Sequence, residues 1–338
     1  MNLTDSKYNG FSLVSEIMET AEIVKDFDQT ATGKVAQKIN SVGKLILTGE
    51  GSSRIFPAKN AIHKARKLGM PLNIITEGSH QAAKYKVEDY AVFCASNSGK
   101  TKEVIKLVQK VKSLGNNNCF GVTTKANTKL ESVCSQTFVL KCRTEKALAA
   151  TKSVVETALF YDSILWNILG DNKKEELASL SANIQSVLTM PVEKSIIDAA
   201  AKASMIYYAG YNDGVAEELT LKTNEIARKK SDYMEGTYAV HGIEEVLSKS
   251  DLIFVIDPIE EEIEKFQQVL EKGVGLTVVA ISTYETPFKT IKIPDAGDFN
   301  PYLYLCAGWN VLVEIGLSLG INLDKTERAR KIGNELTD

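Results

Sequence analysis

Short apolar segments alternate with amphipathic helical segments along most of this chain. The apolar segments are rich in Val, Ile and Phe, which is typical of strands, and the segments between them repeat apolar residues at helical spacing. Strands that alternate with helices pair in parallel, so the pattern predicts an α/β fold built from βαβ units. The expected strands are residues 44–47, 72–75, 91–94, 119–122 and 137–140 in the first half and residues 205–208, 252–256, 276–281 and 291–293 in the second. The expected helices include residues 55–68, 101–114, 147–169, 216–227 and 303–319.

The two halves of the chain resemble each other. Residues 89–93, a helix and residues 119–124 correspond to residues 251–255, a helix and residues 276–281, which predicts a tandem repeat. The loops after the matching strands differ, because the first reads Ser96-Asn-Ser-Gly-Lys-Thr101 and the second reads Asp257-Pro-Ile-Glu-Glu-Glu262. Consecutive carboxylates repel a phosphate, so only the first loop is suited to bind an anion. The polar residues 171–176 are expected to link the two halves.

Length and composition limit the classes of protein that fit this pattern. The chain has 338 residues, of which 44% are hydrophobic and 25% charged, which is enough for two domains with apolar cores. Lys and Arg number 40 against 43 Asp and Glu, and the net charge of -3 gives no field that would attract nucleic acid or an acidic membrane. The five cysteines include no CxxC pair, the three histidines are far apart, and no apolar run approaches the ~18 residues of a membrane span. We therefore expect a cytoplasmic protein with reduced thiols and no metal or other cofactor.

Two loops rich in Ser and Gly follow strands of the first half. The segment Gly49-Glu-Gly-Ser-Ser-Arg54 follows the first strand, and the segment Ser96–Thr101 lies between the third strand and a helix. Both loops are expected at the carboxyl ends of parallel strands, where hydroxyls, glycine and a helix N-terminus favour a phosphate. Neither loop is a dinucleotide fingerprint or a Walker A loop. The alternative is structural, with Ser98 and Thr101 capping the helix and a serine capping the helix after the first turn.

A second group of candidate residues lies on the helix expected over residues 216–227. Glu218, Lys222 and Glu225 have the spacing i, i+4 and i+7, which places them on one face. A carboxylate beside a lysine stays ionised and can take a proton from carbon, and a histidine such as His241 can move a proton to a ring oxygen. The alternatives are a solvated face with ordinary ion pairs and a structural histidine.

Taken together, these motifs resemble those of the sugar isomerase (SIS) family, which includes the isomerase domain of glucosamine-6-phosphate synthase and stand-alone aminosugar-6-phosphate deaminase/isomerases. The resemblance begins at about Lys44 and continues to the C-terminus. It implies two SIS subdomains, each a parallel sheet flanked by helices in a flavodoxin-like three-layer αβα arrangement. The expected boundaries are residues 1–34 for an N-terminal helical segment, 35–172 for the phosphate-binding subdomain, 190–325 for the subdomain with the catalytic helix and the His-Gly segment, and 326–338 for a C-terminal tail.

The resemblance also implies roles for individual residues. Glu225 corresponds to the base that moves a proton between C1 and C2 of the sugar, with Lys222 and Glu218 in the same motif. His241 corresponds to a histidine that helps to open the sugar ring and that comes from the neighbouring subunit, which implies an obligatory homodimer with the active site at the subunit interface. Lys331 in the tail is the candidate for ring opening or Schiff-base chemistry. The residues expected at the phosphate are Ser52, Ser53, Ser96, Asn97, Ser98 and Thr101, and those expected to line the substrate are Gly51, Ala149, Ala150 and Thr151.

The chain departs from the family pattern at two positions. Most relatives read His-Gly-Pro where this chain reads His241-Gly-Ile, and Ala150 replaces a hydroxyl that contacts the sugar in the synthase, so recognition of the sugar hydroxyls is expected to differ. We also expect no glutaminase domain, since about 40 residues precede the first strand. The predicted function is a phosphosugar isomerase acting on a hexose 6-phosphate, specifically an aminosugar-6-phosphate deaminase/isomerase without bound cofactor. The alternatives are a plain aldose/ketose isomerase, a fructosamine-6-phosphate deglycase and a non-catalytic sensor of sugar phosphates.

Overall fold

The computed structural model describes residues 1–331 and 333–336. By their contacts the residues form two compact units. The first, called the β1–β5 unit, comprises Glu22–Lys146, Ala150–Ser179 and the described residues from Glu327 on. The second, called the β6–β10 unit, comprises Met1–Ala21, Ala147–Ala149 and Leu180–Thr326. The domain boundaries given above stay a prediction.

Thirteen α-helices are assigned within the described residues, and several continue into short 3-10 or π-helical turns. They are α1 (Ser12–Met18), α2 (Thr20–Lys25), α3 (Gly33–Val42), α4 (Ile55–Lys67), α5 (Ser79–Ala82), α6 (Lys102–Ser113), α7 (Lys129–Val133), α8 (Lys152–Leu169), α9 (Lys174–Thr189), α10 (Lys194–Lys202), α11 (Val215–Lys222), α12 (Ile263–Phe266) and α13 (Asn300–Ser318). No helix in this part of the chain is both long and apolar enough to cross a lipid bilayer.

The β1–β5 unit is built around a five-stranded sheet in the order β2-β1-β3-β4-β5. All neighbouring strands run parallel, as the alternation of strands and helices predicts. Each strand overlaps its predicted range. The strands are β1 (Lys44–Gly49), β2 (Asn73–Gly78), β3 (Ala91–Ala95), β4 (Cys119–Thr123) and β5 (Gln136–Val139).

Both faces of this sheet are covered by helices. Successive residues of a strand point to opposite faces, so Leu45 and Leu47 pack with α3, α4 and α8, whereas Ile46 packs with α6 and α7. A sheet that is buried on both faces has nearly continuous apolar strands, which is why its strands were easy to locate in the sequence. The three-layer αβα arrangement is confirmed for this unit.

The β6–β10 unit contains a second parallel sheet, in the order β10-β9-β8-β6-β7. Counted along the chain, its strands have the same order as those of the first sheet. The tandem repeat of sequence itself stays a prediction. The strands are β6 (Ile206–Gly210), β7 (Ser231–Glu235), β8 (Leu252–Ile256), β9 (Thr277–Ser282) and β10 (Lys289–Lys292).

Two details of the predicted elements were wrong. The strand β7 was missed, because it lies at the edge of its sheet and only Met234 among its five residues is buried. The helix expected over residues 147–169 begins only at Lys152, since Thr151 has a non-helical backbone (φ -135°, ψ -78°). A buried carboxylate described below accounts for this late start.

Helix α13 fixes the position of α11 and of the turn that follows it. Two glycines of α13 permit a close approach, because a Cβ atom at Gly308 would lie 2.3 Å from the Leu219 side chain. A Cβ atom at Gly316 would lie 2.8 Å from Leu323 Cδ2 and 3.2 Å from the carbonyl oxygen of Ile226. The segment that carries Glu225 is therefore packed directly on the backbone of α13.

Candidate active site

The two hydroxyl-rich loops follow adjacent strands at the switch point of the first sheet. After β1 the chain enters α4 on one face, and after β3 it enters α6 on the other face. This reversal opens a crevice at the carboxyl ends of the two strands, which is where open α/β sheets bind ligands. The strands lie close there, because a Cβ atom at Gly49 would be 2.8 Å from the carbonyl oxygen of Ala95.

The loop after β1 is a single 3-10 turn, Gly51–Ser53. Gly51 has a positive φ of 54°, a conformation that other residues adopt only with strain. Ser52 is buried and Ser53 is half-buried. Arg54 is the N-cap residue of the following helix α4, and its side chain makes no capping bond. The alternative that a serine of this turn caps the helix stays open. The turn brings Ser52 and Ser53 to the carboxyl end of β1.

The loop after β3 is held together by its own hydroxyls. Ser96 is buried, and its Oγ lies 2.7 Å from Thr101 Oγ1, while Ser98 Oγ accepts a bond of 3.2 Å from the backbone N–H of Lys100. Thr101 is the N-cap residue of α6, but in the described structure its side chain makes no capping bond to that helix. The capping alternative is therefore wrong for Thr101, and Ser98 stabilises the loop rather than the helix.

Gly99 allows this loop to turn tightly. Its φ is +62°, and a Cβ atom there would lie 2.3 Å from the Cβ atom of Thr128. The loop is also anchored at Asn97, whose carbonyl oxygen accepts bonds from Thr124 N at 3.2 Å and from Thr124 Oγ1 at 2.9 Å. The backbone that carries the hydroxyls of Ser96 and Thr101 is thus held in place at Asn97 and Gly99.

A buried carboxylate organises the start of α8. Glu145 is 4% exposed, and its Oε1 accepts from the backbone N–H of Thr151 at 2.6 Å and from Thr151 Oγ1 at 3.1 Å. Its Oε2 accepts from Ser153 Oγ at 2.5 Å. These bonds hold Thr151 outside the helix, which explains why α8 begins at Lys152. Glu145 was not among the residues predicted from the sequence. The available signal was an acidic residue shortly before a run of small residues that ends in a threonine.

The predicted substrate-lining residues fall in different environments. Thr151 is fully buried, and its hydroxyl is engaged by Glu145. Ala150 is half-buried in the same β1–β5 unit. Ala149 is buried and belongs to the β6–β10 unit. The lining role of all three stays a prediction.

The described end of the tail pairs with the start of α6. The backbone N–H of Lys102 donates to the carbonyl oxygen of Asn334 at 3.0 Å, and that of Leu336 donates to the carbonyl oxygen of Lys100 at 2.9 Å. This short antiparallel pairing places residues 334–336 beside the hydroxyl loop, in the same unit. Lys331 is exposed and lies three residues before the pairing begins.

In the β6–β10 unit, α11 continues into a π-helical turn, Thr223–Ala227. π-Helical turns are rare in proteins as a whole, but those that occur often lie at functional sites. They change the direction in which one side chain of an otherwise regular helix points. Glu225 lies within the turn. The turn ends at Arg228, which has a left-handed backbone (φ 51°) and whose guanidinium donates to the carbonyl oxygen of Asn322 at 3.1 Å.

The predicted group of Glu218, Lys222 and Glu225 is an ion-pair network. Lys222 Nζ lies 2.6 Å from Glu225 Oε2 and 3.3 Å from Glu218 Oε1. The side chains of Glu218 and Lys222 are fully buried, whereas that of Glu225 is 23% exposed. The alternative of a solvated charged face is therefore wrong. Of the three groups, only the carboxylate of Glu225 is open to a ligand from solvent.

The charges of this network determine the state of Lys222. Burial by itself lowers the pKa of Lys222, but the charges of Glu225 and Glu218 and their hydrogen bonds outweigh burial and raise the pKa above its ordinary value. The lysine is therefore a permanent cation at neutral pH. It holds the Glu225 carboxylate in one orientation from its buried side.

His241 lies on an exposed segment formed by two 3-10 turns, Tyr238–Val240 and Ile243–Glu245. The histidine is itself exposed, and so are the apolar side chains of Tyr238 (52%) and Val246 (67%). Across residues 1–331 and 333–336, no three or more His, Cys, Asp or Glu side chains are grouped in a way that could hold a metal ion.

No family model and no curated protein sequence matches this chain. Solved structures, in contrast, match it over nearly its whole length. The C-terminal domain of glucosamine-fructose-6-phosphate aminotransferase from Francisella tularensis superposes with a TM-score of 0.76 at 17% identity, covering 93% of this chain and 98% of that chain. That protein has the two-subdomain fold of the sugar isomerase (SIS) phosphosugar isomerases. This chain has the SIS fold.

Two further proteins with the SIS fold are similar to this chain. Tagatose-6-phosphate ketose/aldose isomerase from Escherichia coli matches with a TM-score of 0.77 at 16% identity, covering 95% of this chain and 96% of that chain. Glucosamine-6-phosphate deaminase from Thermotoga maritima matches with a TM-score of 0.72 at 18% identity, covering 96% and 99%. The predicted fold class is confirmed, and the roles of single residues must be argued from the geometry.

Proposed function

We propose that this chain is a phosphosugar isomerase acting on a hexose 6-phosphate, and specifically an aminosugar-6-phosphate deaminase/isomerase. The observation that carries the proposal is the environment of the Glu225 carboxylate. It is partly exposed on a π-helical turn and forms an ion pair with the buried Lys222. An accessible carboxylate with a fixed orientation is suited to move a proton between neighbouring carbons. The SIS fold supports the same class of reaction, since solved structures with this fold include isomerases and a deaminase.

The hydroxyl loops of the β1–β5 unit are proposed to bind the phosphate. Ser96 and Thr101 lie next to the start of α6, where the side chain of Thr101 makes no capping bond and the helix dipole favours an anion. Ser52 and Ser53 come from the neighbouring strand at the same crevice. Binding the phosphate at a fixed place restricts the motion of the sugar and so favours reaction at its other end.

The proposed chemistry is a proton shift followed by hydrolysis. Glu225 removes the proton from C2 of the open-chain aminosugar phosphate and returns it to C1, which converts the aldose into a ketose imine. Water then adds to the imine at C2, and ammonia leaves, so that the sum is aminosugar phosphate plus water to ketose phosphate plus ammonia. If C2 carries a hydroxyl instead, the same proton shift gives a plain aldose/ketose isomerisation.

Ring opening is proposed to involve His241 from a second subunit. Support comes from the exposure of His241 and of the neighbouring Tyr238 and Val246, which a homodimer interface would cover. The exposed Lys331 is proposed to assist ring opening from the tail. These assignments make the active site incomplete in an isolated subunit.

A coupled assay with glucosamine 6-phosphate tests the proposal. We expect ammonia and fructose 6-phosphate in equal amounts. Conversion of a hexose 6-phosphate to its ketose without ammonia would indicate a plain isomerase, and release of an amine from a fructosamine 6-phosphate would indicate a deglycase. Thermal stabilisation by sugar phosphates without any turnover across a panel of hexose and aminohexose 6-phosphates would contradict an enzymatic function and indicate a sensor.

A further inference from the structure

Glu145 joins two parts of the β1–β5 unit that are far apart in sequence. One of its carboxylate oxygens holds Thr151, and the other accepts from the hydroxyl of Ser153, which is fully buried. Ser153 Oγ in turn accepts from the side-chain amide of Asn97 at 2.8 Å. Asn97 is the second residue of the hydroxyl loop, so a continuous chain of hydrogen bonds runs from Glu145 to the proposed phosphate site.

The chemistry of these groups allows only one direction for this chain of bonds. A carboxylate can accept but not donate, so the Ser153 hydroxyl must give its proton to Glu145. The lone pairs that remain on Ser153 Oγ can only accept, which forces the NH2 side of the Asn97 amide towards Ser153. The orientation of the Asn97 side-chain amide is therefore determined by the buried carboxylate of Glu145, to which it is connected through two hydrogen bonds.

Asn97 lies between the two serines whose hydroxyls are proposed to contact the phosphate. The backbone carbonyl oxygen of Asn97 accepts hydrogen bonds from Thr124, and the hydrogen bond to Ser153 holds the Asn97 side chain. Because both the backbone and the side chain of Asn97 are held, this part of the loop does not have to be ordered when the anion binds, and this lowers the entropic cost of binding.

We propose that Glu145 is a positioning residue for the phosphate-binding loop, acting through Ser153 and Asn97. This inference rests on the proposed function, because it requires that the loop binds a sugar phosphate. It assigns to Glu145 an effect on affinity for the phosphate group rather than on the proton transfer at C1 and C2.

Helix α8 offers a matched control. Glu156 on α8 is also a buried carboxylate, and it accepts backbone bonds from Lys141 N at 2.8 Å and Cys142 N at 2.6 Å. Its bonds tie α8 to the residues after β5 and do not lead to Asn97. Glu156→Gln therefore removes a buried carboxylate of the same unit without touching the hydrogen bonds that connect Glu145 to Asn97.

The test measures the affinity of Glu145→Gln, Ser153→Ala and Glu156→Gln for fructose 6-phosphate and inorganic phosphate by titration calorimetry, with thermal unfolding in parallel. We expect the dissociation constant to rise roughly tenfold in Glu145→Gln and Ser153→Ala, as for the loss of one hydrogen bond to a charged group. Glu156→Gln should bind like the wild type even where its melting temperature falls as much. In steady-state kinetics, Glu145→Gln and Ser153→Ala should have a higher KM than the wild type and a nearly unchanged kcat.

Two results would overturn the inference. The first is wild-type affinity in Ser153→Ala, a small deletion that leaves the bonds between Glu145 and Thr151 intact and keeps the test valid even if Glu145→Gln fails to fold. The second is an equal loss of affinity in Glu156→Gln, which would make the effect one of stability. Failure of the proposed function looks different, because the wild-type protein would then bind neither fructose 6-phosphate nor inorganic phosphate.

Discussion

At the scale of single residues, the most informative feature is the burial of Lys222. The sequence spacing predicted correctly that Glu218, Lys222 and Glu225 share one side of a helix. It did not show that two of these charged groups are fully buried, because burial depends on what packs against the helix. A lysine removed from water needs its carboxylate partners, and those partners need the lysine.

We therefore expect Lys222→Met to be strongly destabilising. The variant leaves the carboxylate of Glu218 buried without its cation, which typically costs about 3 to 5 kcal/mol of unfolding free energy. Urea unfolding of the variant and of the double variant Glu218→Gln, Lys222→Met measures this cost. The double variant should recover a large part of the loss, because it removes the stranded charge as well.

A surface pair provides the control for this experiment. Lys194 and Asp198 form an exposed i, i+4 pair with side chains 83% and 43% exposed, and such pairs contribute little to stability because water screens their attraction. Lys194→Met should leave the unfolding free energy nearly unchanged. A loss in Lys222→Met no larger than that in Lys194→Met would show that the buried network does not hold the π-helical turn.

At the scale of elements, the packing of α13 against the π-helical turn determines where Glu225 lies. Ala has a higher helix propensity than Gly by about 1 kcal/mol, so Gly316→Ala would stabilise an isolated helix. In this fold we expect the opposite, a loss of about 1 to 3 kcal/mol, since the new methyl group would meet Leu323 and the carbonyl oxygen of Ile226. Turnover should fall as well, because Ile226 is the residue next to Glu225.

Thermal unfolding and kcat of Gly316→Ala and Gly33→Ala separate packing from helix propensity. Gly33 is the first residue of α3, has a helical φ of -55°, and has 3.7 Å of room to its nearest neighbour, the Asn167 side chain. Gly33→Ala should be neutral or slightly stabilising and fully active. Equal behaviour of the two variants would contradict the tight contact between α13 and the turn.

The elements also explain which predictions from sequence succeeded. The strands β3 and β8, in which every residue is buried, were located to within a residue because a short, continuous apolar run rich in β-branched and aromatic residues is typical of a buried strand. The edge strand β7 has one buried residue and no such signal. The start of α8 was predicted too early because the run of mostly small residues at 147–151 has good helix propensity. Glu145, which lies before this run, binds the backbone N–H of Thr151 and so keeps the run out of the helix.

In the candidate site, too, some residues could be predicted from the sequence and others could not. The loops after β1 and β3 were recognised from their hydroxyls and glycines, and the sheet order then brings them to one crevice. Glu145 and Arg228 were not recognised, because their partners lie at backbone and side-chain atoms that no local pattern identifies. Residues that act through long-range hydrogen bonds are visible only once the fold is known.

At the scale of the whole molecule, two sheets with one strand order carry different chemistry at their switch points. The loop after β3 presents hydroxyls, whereas the loop after β8 begins with Asp257, whose Oδ1 accepts from Tyr304 at 2.7 Å, and continues into Glu260, Glu261 and Glu262. Only the first of these loops is suited to a phosphate. The two units thus share a strand order but differ in the chemistry of this loop. This difference is consistent with the proposal that the β1–β5 unit binds the phosphate and that the β6–β10 unit supplies the residue for proton transfer.

The proposed homodimer makes a prediction about mixed subunits. If each site takes Glu225 from one subunit and His241 from the other, a dimer of Glu225→Gln and His241→Gln subunits contains one intact site. Unfolding and refolding an equal mixture of the two inactive variants should then restore about a quarter of the wild-type activity, since half of the dimers are mixed and each has one site of two. No recovery in a mixture that forms dimers would contradict the sharing of the site.

The central claim, that Glu225 moves a proton between C1 and C2, is tested most directly by exchange with solvent. Wild-type protein and Glu225→Gln are incubated with glucosamine 6-phosphate in D2O, and deuterium at C1 and C2 is followed by NMR. We expect carbon-bound deuterium with the wild type and a rate at least about 100-fold lower with Glu225→Gln, which cannot accept the proton but binds the sugar phosphate with nearly unchanged affinity. Incorporation by Glu225→Gln at the wild-type rate would contradict the account.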